Sequence, residues 1–141
     1  MTIESTSIEQ TKHVAADFAK QLNGGDVVFL EGDLGSGKTT FVQEVMEAFG
    51  YKEPVRSPTF SIMNRYKIDH PSIETVIHLD FYRFEDPSEI RSLGLDELYG
   101  HRTIVFIEWP SKGETLLSVF GKSHHVVFQQ LPNNHHQIIF S

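Results

Sequence analysis

Two apolar rhythms alternate along the chain. Near the start, Ile8, Ala15, Phe18, Ala19 and Leu22 recur at helical spacing, with Ser7 ahead of them as a cap and Gly24-Gly25 behind as a stop. That predicts a helix from Ser7 to about Leu22, with residues 1–6 loose. Val27-Val28-Phe29-Leu30 is a short unbroken apolar run of the kind that forms a buried strand. Phe41, Val42, Val45, Met46 and Phe49 then return to one helical face, and Gly50 ends it.

Further along, Tyr51 to Arg56 is a polar loop leading into Ser57-Pro58-Thr59-Phe60-Ser61-Ile62-Met63. Pro58 restricts Ser57 to an extended conformation, so this reads as a hydroxyl-rich loop followed by a strand. After a turn around Asp69-His70-Pro71, Thr75 to Asp80 is a strand that ends in an acid. Asp86-Pro87-Ser88-Glu89 is a helix-start signal, with the helix ending near Gly94 and a further helical turn at 96–100. Thr103 to Glu108 is the clearest buried strand, again closed by an acid and stopped by Trp109-Pro110. Val126-Val127-Phe128 and Ile138-Ile139-Phe140, joined through Pro132-Asn133-Asn134, predict an antiparallel pair. The expected fold is α/β: a mostly parallel central sheet flanked by helices, with antiparallel C-terminal strands, in a single domain over residues 1–141.

Between the first buried strand and the second helix lies Gly32-Asp33-Leu34-Gly35-Ser36-Gly37-Lys38-Thr39, which fits G-x-x-x-x-G-K-[ST] at every fixed position. This pattern marks the phosphate-binding loop of nucleoside triphosphatases. Its glycines let successive backbone N–H groups turn inward on phosphate oxygens, and the helix N-terminus adds partial positive charge. The expected cofactor-binding residues are Gly35, Ser36, Gly37, Lys38, Thr39 and Thr40. Lys38 would reach the β- and γ-phosphates, and the Thr39 hydroxyl would ligate Mg²⁺. Asp33 is out of place beside phosphates unless it points outward.

A phosphate cradle needs a cation, and open α/β sheets bind ligands at the carboxyl ends of their strands. Asp80 and Glu108 occupy two such ends. One could hold Mg²⁺ directly or through water while the other orients or deprotonates the attacking water; either could instead be an ordinary strand-end residue. Thr59 is a candidate sensor of the metal or terminal phosphate. Ser7 and Thr11 are candidate contacts to the base, and Trp109 to stack near the site. Arg56, Arg65 and Arg83 could neutralise transition-state charge, though each also reads as a surface residue. The eight histidines, including the pairs His124-His125 and His135-His136, lack the spacing of a metal cage and are expected to be solvated. No G-x-S-x-G elbow exposes a serine nucleophile. With no Asn-Lys-x-Asp segment, guanine specificity is disfavoured and ATP is the expected nucleotide.

Composition narrows the picture. A formal charge of −7 argues against a broad nucleic-acid-binding face, which needs clustered Lys and Arg. The absence of cysteine removes disulfides, thiolate metal sites and cysteine nucleophiles. No apolar run approaches about 18 residues, so a soluble, cytoplasmic chain is expected.

Taken together, Gly32–Thr40 (GDLGSGKTT), Ser57–Phe60 (SPTF), His78–Phe84 (HLDFYRF), Asp86-Pro87-Ser88-Glu89 and Glu108-Trp109-Pro110 resemble the TsaE (YjeE) family. These are P-loop ATPases of bacterial tRNA threonylcarbamoyladenosine (t6A) synthesis. The resemblance covers roughly residues 7–120 in the family's order and spacing. It implies an ATP- and Mg²⁺-dependent ATPase, weak alone and stimulated by a TsaD–TsaB complex whose cycling it drives, with an indirect link to tRNA. Carried over by position, Lys38 contacts phosphate, Thr39 and Glu108 ligate Mg²⁺, Asp80 supports metal or water, Thr59 lies in a switch loop, and Trp109 sits near the nucleotide. Family members often carry an acid after the apolar pair following SPTF, where this chain has Asn64 and Arg65. The family's C-terminal segment varies, so residues 121–141 take no role from the resemblance. Two other readings compete: a small-molecule kinase, which needs an arginine-rich lid where residues 86–102 offer only Arg91 and Arg102, and a nucleotide-gated binding module without hydrolysis.

Overall fold

The structure, a computed structural model, describes residues 1–33, 35–58, 62–81, 88, 94, 99–108 and 122–141. Within them the chain runs β1 (Thr2–Ser5), α1 (Ile8–Gln21), β2 (Val27–Glu31), α2 (Lys38–Ala48), β3 (Met63–Lys67), β4 (Thr75–Asp80), β5 (Thr103–Glu108) and β6 (Ser123–Gln130). A 3-10 turn at Pro132–Asn134 then leads to β7 (His136–Phe140). The seven strands form one sheet in the order β1-β7-β6-β2-β5-β4-β3. Its centre is parallel: β6, β2, β5 and β4 run the same way, β3 and β7 flank them antiparallel, and β1, paired antiparallel with β7 at the far edge, runs with the centre again. This is the expected α/β P-loop architecture, including the antiparallel C-terminal pair.

Strand alternation sorts the core into two faces. Val28 and Leu30 of β2, Val76 of β4, Ile104 and Phe106 of β5, and Val126 and Phe128 of β6 pack beneath Phe18 of α1 and Phe41, Val42, Val45 and Met46 of α2. On the other face, Val27, Phe29, Ile77, Leu79, Val105 and Ile107 meet Phe81 and the partly buried Ile62 and Met63. Burying each large apolar side chain stabilises the fold by about 1.5–3 kcal/mol. Every residue of β4 and β5 is buried, the acid ends included, so those two carboxylates lie in protein rather than in water.

Three expectations need correction. Residues 1–6 are not loose: Thr2–Ser5 pairs with β7, and the Met1 amino group donates to the Phe140 carbonyl at 3.1 Å. Only Ile3 there is apolar, so the strand is created by a distant partner rather than by its own pattern. Helical spacing puts Ile8 on the buried stripe of α1, but it is 65 % exposed, because the first helical turn extends past the edge of the core. The histidines are not uniformly solvated. His78 is fully buried, and His124 Nε2 lies 2.9 Å from Asp26 Oδ2, tying the turn before β2 to β6.

That turn, at the amino edge of the sheet, is tight. A Cβ on Gly24 would stand 2.2 Å from the His101 carbonyl oxygen and 2.7 Å from that of Ser72. Both obstacles are backbone, so Gly24→Ala is expected to destabilise by about 2–3 kcal/mol, read from urea unfolding. An unchanged midpoint would contradict this account of the turn.

Candidate nucleotide site

The two helices begin differently. At α1 the Ser7 side chain caps in the ordinary way, accepting from Gln10 N at 3.2 Å. At α2 the cap is Gly37 in the left-handed region (φ 106°), with no side-chain cap hydrogen bond. With no side chain capping it, this end of the helix can offer backbone N–H groups to a ligand, with the helix dipole directed at the same spot. Gly32 opens the loop at φ 153°; a Cβ there would lie 2.6 Å from Ser36 Oγ and 2.8 Å from the Phe128 carbonyl oxygen. Ser36 is buried, and its Oγ has no hydrogen-bond partner among the described residues. Asp33 is exposed, as a loop shaped for phosphate requires.

Lys38, the first residue of α2, folds back over this loop. Its Nζ donates to the Gly32 carbonyl at 2.6 Å and lies 3.9 Å from Glu108 Oε1. Burial pulls its pKa below the ordinary 10.5, and the charges of Glu108, Asp80 and Asp33 work against that fall. A buried ammonium that donates to a backbone carbonyl is poised to exchange it for a stronger anion.

The two candidate acids are brought together. Parallel pairing of β4 with β5 sets Asp80 beside Glu108, and pairing of β2 with β5 sets Leu30 beside Glu108. Both carboxylates therefore stand at the strand ends next to the phosphate loop. Each is only 4 % exposed. Glu108 Oε2 has no aligned hydrogen-bond partner among the described residues, although His78 Nε2 lies 2.9 Å away. Among the described residues no cluster of three or more His, Cys, Asp or Glu could hold a metal alone. Two neighbouring buried carboxylates, with Glu108 Oε2 lacking an aligned donor among the described residues, suit a hard cation that arrives with phosphate and water. That is how Mg²⁺ is ordinarily bound.

Beside the loop opens a cavity of about 310 Å³, lined on the α2 side by Ser36, Gly37 and Thr40 and on the α1 side by Ser7, Ile8 and Thr11. Its size lies in the range of small-molecule sites. The Thr11 hydroxyl also bonds Ser5 Oγ at 2.7 Å, which fixes its position at the rim. Phe128, Asn134, His136 and Ile138 form the third wall. This wall has no local sequence signal, because β6 reaches β2 only through long-range pairing. Of the expected site residues, Gly35, Ser36, Gly37, Lys38, Thr39, Thr40, Thr11, Asp80 and Glu108 converge on this edge. Thr59, Trp109 and Arg83 lie outside the described residues. Arg56 and Arg65 are exposed, and Arg65 sits on the edge strand β3. Of the two arginines that residues 86–102 offer to a kinase lid, Arg102 precedes β5 at the opposite edge with its Nε 3.8 Å from Glu74, and Arg91 is outside the described residues.

Comparison with known proteins agrees with this geometry. The family model for "Threonylcarbamoyl adenosine biosynthesis protein TsaE" matches residues 5–138. The chain belongs to the TsaE family. It is 37 % identical over 131 residues to the Bacillus subtilis tRNA threonylcarbamoyladenosine biosynthesis protein TsaE, covering 93 % of this chain and 71 % of that one. With the TsaE of Nostoc sp. it shares 40 % identity over 139 residues, covering 84 % and 83 %. The crystal structure of Bacillus subtilis YdiB superposes with a TM-score of 0.77 at 29 % identity, over 99 % of this chain and 83 % of that one. Membership in the TsaE family extends over the C-terminal hairpin, which the motifs alone did not reach. No helix among the described residues is long and apolar enough to cross a membrane.

Proposed function

We propose that this chain binds Mg²⁺·ATP at the loop after β2 and hydrolyses it in support of tRNA threonylcarbamoyladenosine formation. The observation that carries the reading is the juxtaposition of an uncapped α2 N-terminus, the buried Lys38 and the neighbouring carboxylates Asp80 and Glu108. Ser36 Oγ and the N–H groups at Gly35, Gly37, Lys38, Thr39 and Thr40 would cradle the phosphates, and Lys38 would leave Gly32 to meet them. The base and ribose would occupy the adjoining cavity beside Thr11.

Thr39 together with either Glu108 or Asp80 would hold the magnesium ion, which when bound draws charge from the phosphoryl oxygens. The carboxylate not engaged with the metal would orient the attacking water or take its proton. Both are buried, so that water would be held away from bulk solvent. Thr59 and Trp109 complete the proposed nucleotide contacts. Family kinship supports a TsaD–TsaB complex as the partner whose cycling the hydrolysis drives, in the cytoplasm. The low count of basic residues supports an indirect link to tRNA.

The test is ATP hydrolysis measured with and without the TsaD–TsaB pair. The expected result is slow turnover alone and clear stimulation by the pair. Rapid turnover indifferent to the pair would contradict partner coupling, and a specific phosphorylated metabolite would favour the kinase.

A further inference from the structure

We propose that His78 is a positioning residue for Glu108, an inference that rests on the nucleotide reading above. His78 stands two residues before Asp80 on β4, so both side chains leave the same face of the sheet as α2. Its register partner on β5 is Phe106, which places it diagonally behind Glu108. The ring is 0 % exposed and meets Phe106 edge-on, with centroids 6.3 Å apart. In the column Val76, His78, Asp80, beside Ile104, Phe106, Glu108, an aliphatic residue would fill the space without burying polar nitrogens. Nδ1 has no partner among the described residues. The polar end that meets something is Nε2, 2.9 Å from Glu108 Oε2.

Glu108 is thus contacted from two sides, by Lys38 at Oε1 and by His78 at Oε2. Engaging a triphosphate would draw the Lys38 ammonium away from Glu108. Once it turns to phosphate, His78 is, among the described residues, the side chain still placed to keep the Glu108 carboxylate facing the loop. The two atoms are off hydrogen-bond alignment here, and hydrogen bonds of catalytic groups commonly tighten only in the ligand complex. Groups that orient metal-binding carboxylates act in this way.

The test compares His78→Leu, His78→Asn and His78→Gln in the full chain. Gln can place an N–H near the Nε2 position, whereas the shorter Asn cannot. Affinity for ADP is measured in EDTA, and Mn²⁺ affinity of the ADP-bound protein by electron paramagnetic resonance. Leu and Asn are expected to weaken Mn²⁺ binding about tenfold with metal-free ADP affinity within about twofold, while Gln stays within about threefold of wild type. If Leu does not fold, the Asn–Gln pair decides the matter. Wild-type Mn²⁺ affinity in Leu and Asn would overturn the proposal, as would equal losses in Asn and Gln. Failure of the unsubstituted chain to bind ADP would instead overturn the nucleotide reading itself, so the two failures are distinguishable.

Discussion

Replacing Lys38 by methionine is expected to abolish measurable ATP binding while leaving the protein folded and as stable as before, or more so. Hydrogen bonds to charged groups contribute about 1.5–3 kcal/mol each, so losing two phosphate contacts would lower affinity at least about a hundredfold. In the ligand-free protein the same ammonium is a liability, since burial depresses its pKa. The sign follows from linkage. Because the folded value lies below the unfolded one, the unfolded chain binds more protons between them, and wild-type stability should rise with pH across that window. Below the window the penalty of the buried charge is fully present; above 10.5 it is gone. Lys38→Met should lack this contribution. Calorimetric titration with ATP and urea unfolding from neutral to alkaline pH check both halves. Retained ATP affinity would remove Lys38 from the site, and a loss of folding would assign it a structural role instead.

Glu108→Gln and Asp80→Asn should separate catalysis from binding. General-base contributions amount to about 10²–10⁴ in rate, so partner-stimulated turnover should fall at least about a hundredfold in one of the two and substantially in the other. Nucleotide affinity should remain within about threefold, because the loop amides and Lys38 are untouched. The residue whose substitution raises the Mg²⁺ requirement most is the one nearest the metal. Unchanged stimulated turnover in both variants would withdraw the assignment of these acids. Full function of the complex with both acids replaced but not with Lys38 replaced would point to a nucleotide-gated module that does not need hydrolysis.

The centre of this fold was legible because its signals are local. Val27–Leu30, the glycine loop and the Phe41–Phe49 stripe follow one another within a single βα unit. Thr103–Glu108 announces itself by unbroken apolarity. Strand ends could be read as site positions because parallel sheets gather them on one edge, and pairing of Asp80 with Glu108 followed. What stayed illegible depends on distant partners. β1 exists because β7 pairs with it, and the parallel pairing of β6 with β2 brings His136 and Asn134 to the cavity wall. His78 is within reach of sequence reasoning: alternation from Asp80 puts it on the site face, a signal that the lack of metal-cage spacing among the histidines hides. Ile8 shows the opposite error, since helical spacing does not say where the core stops.

The central claim is that the loop after β2 holds the phosphates of ATP. Its most direct test is a crystal structure with a non-hydrolysable ATP analogue and Mg²⁺. The account predicts phosphates against the α2 N-terminus, with Lys38 Nζ moved from the Gly32 carbonyl to a phosphate oxygen and the cation beside Glu108 or Asp80. Nucleotide bound elsewhere, or a loop left empty with Lys38 still on Gly32 at saturating analogue, would contradict it.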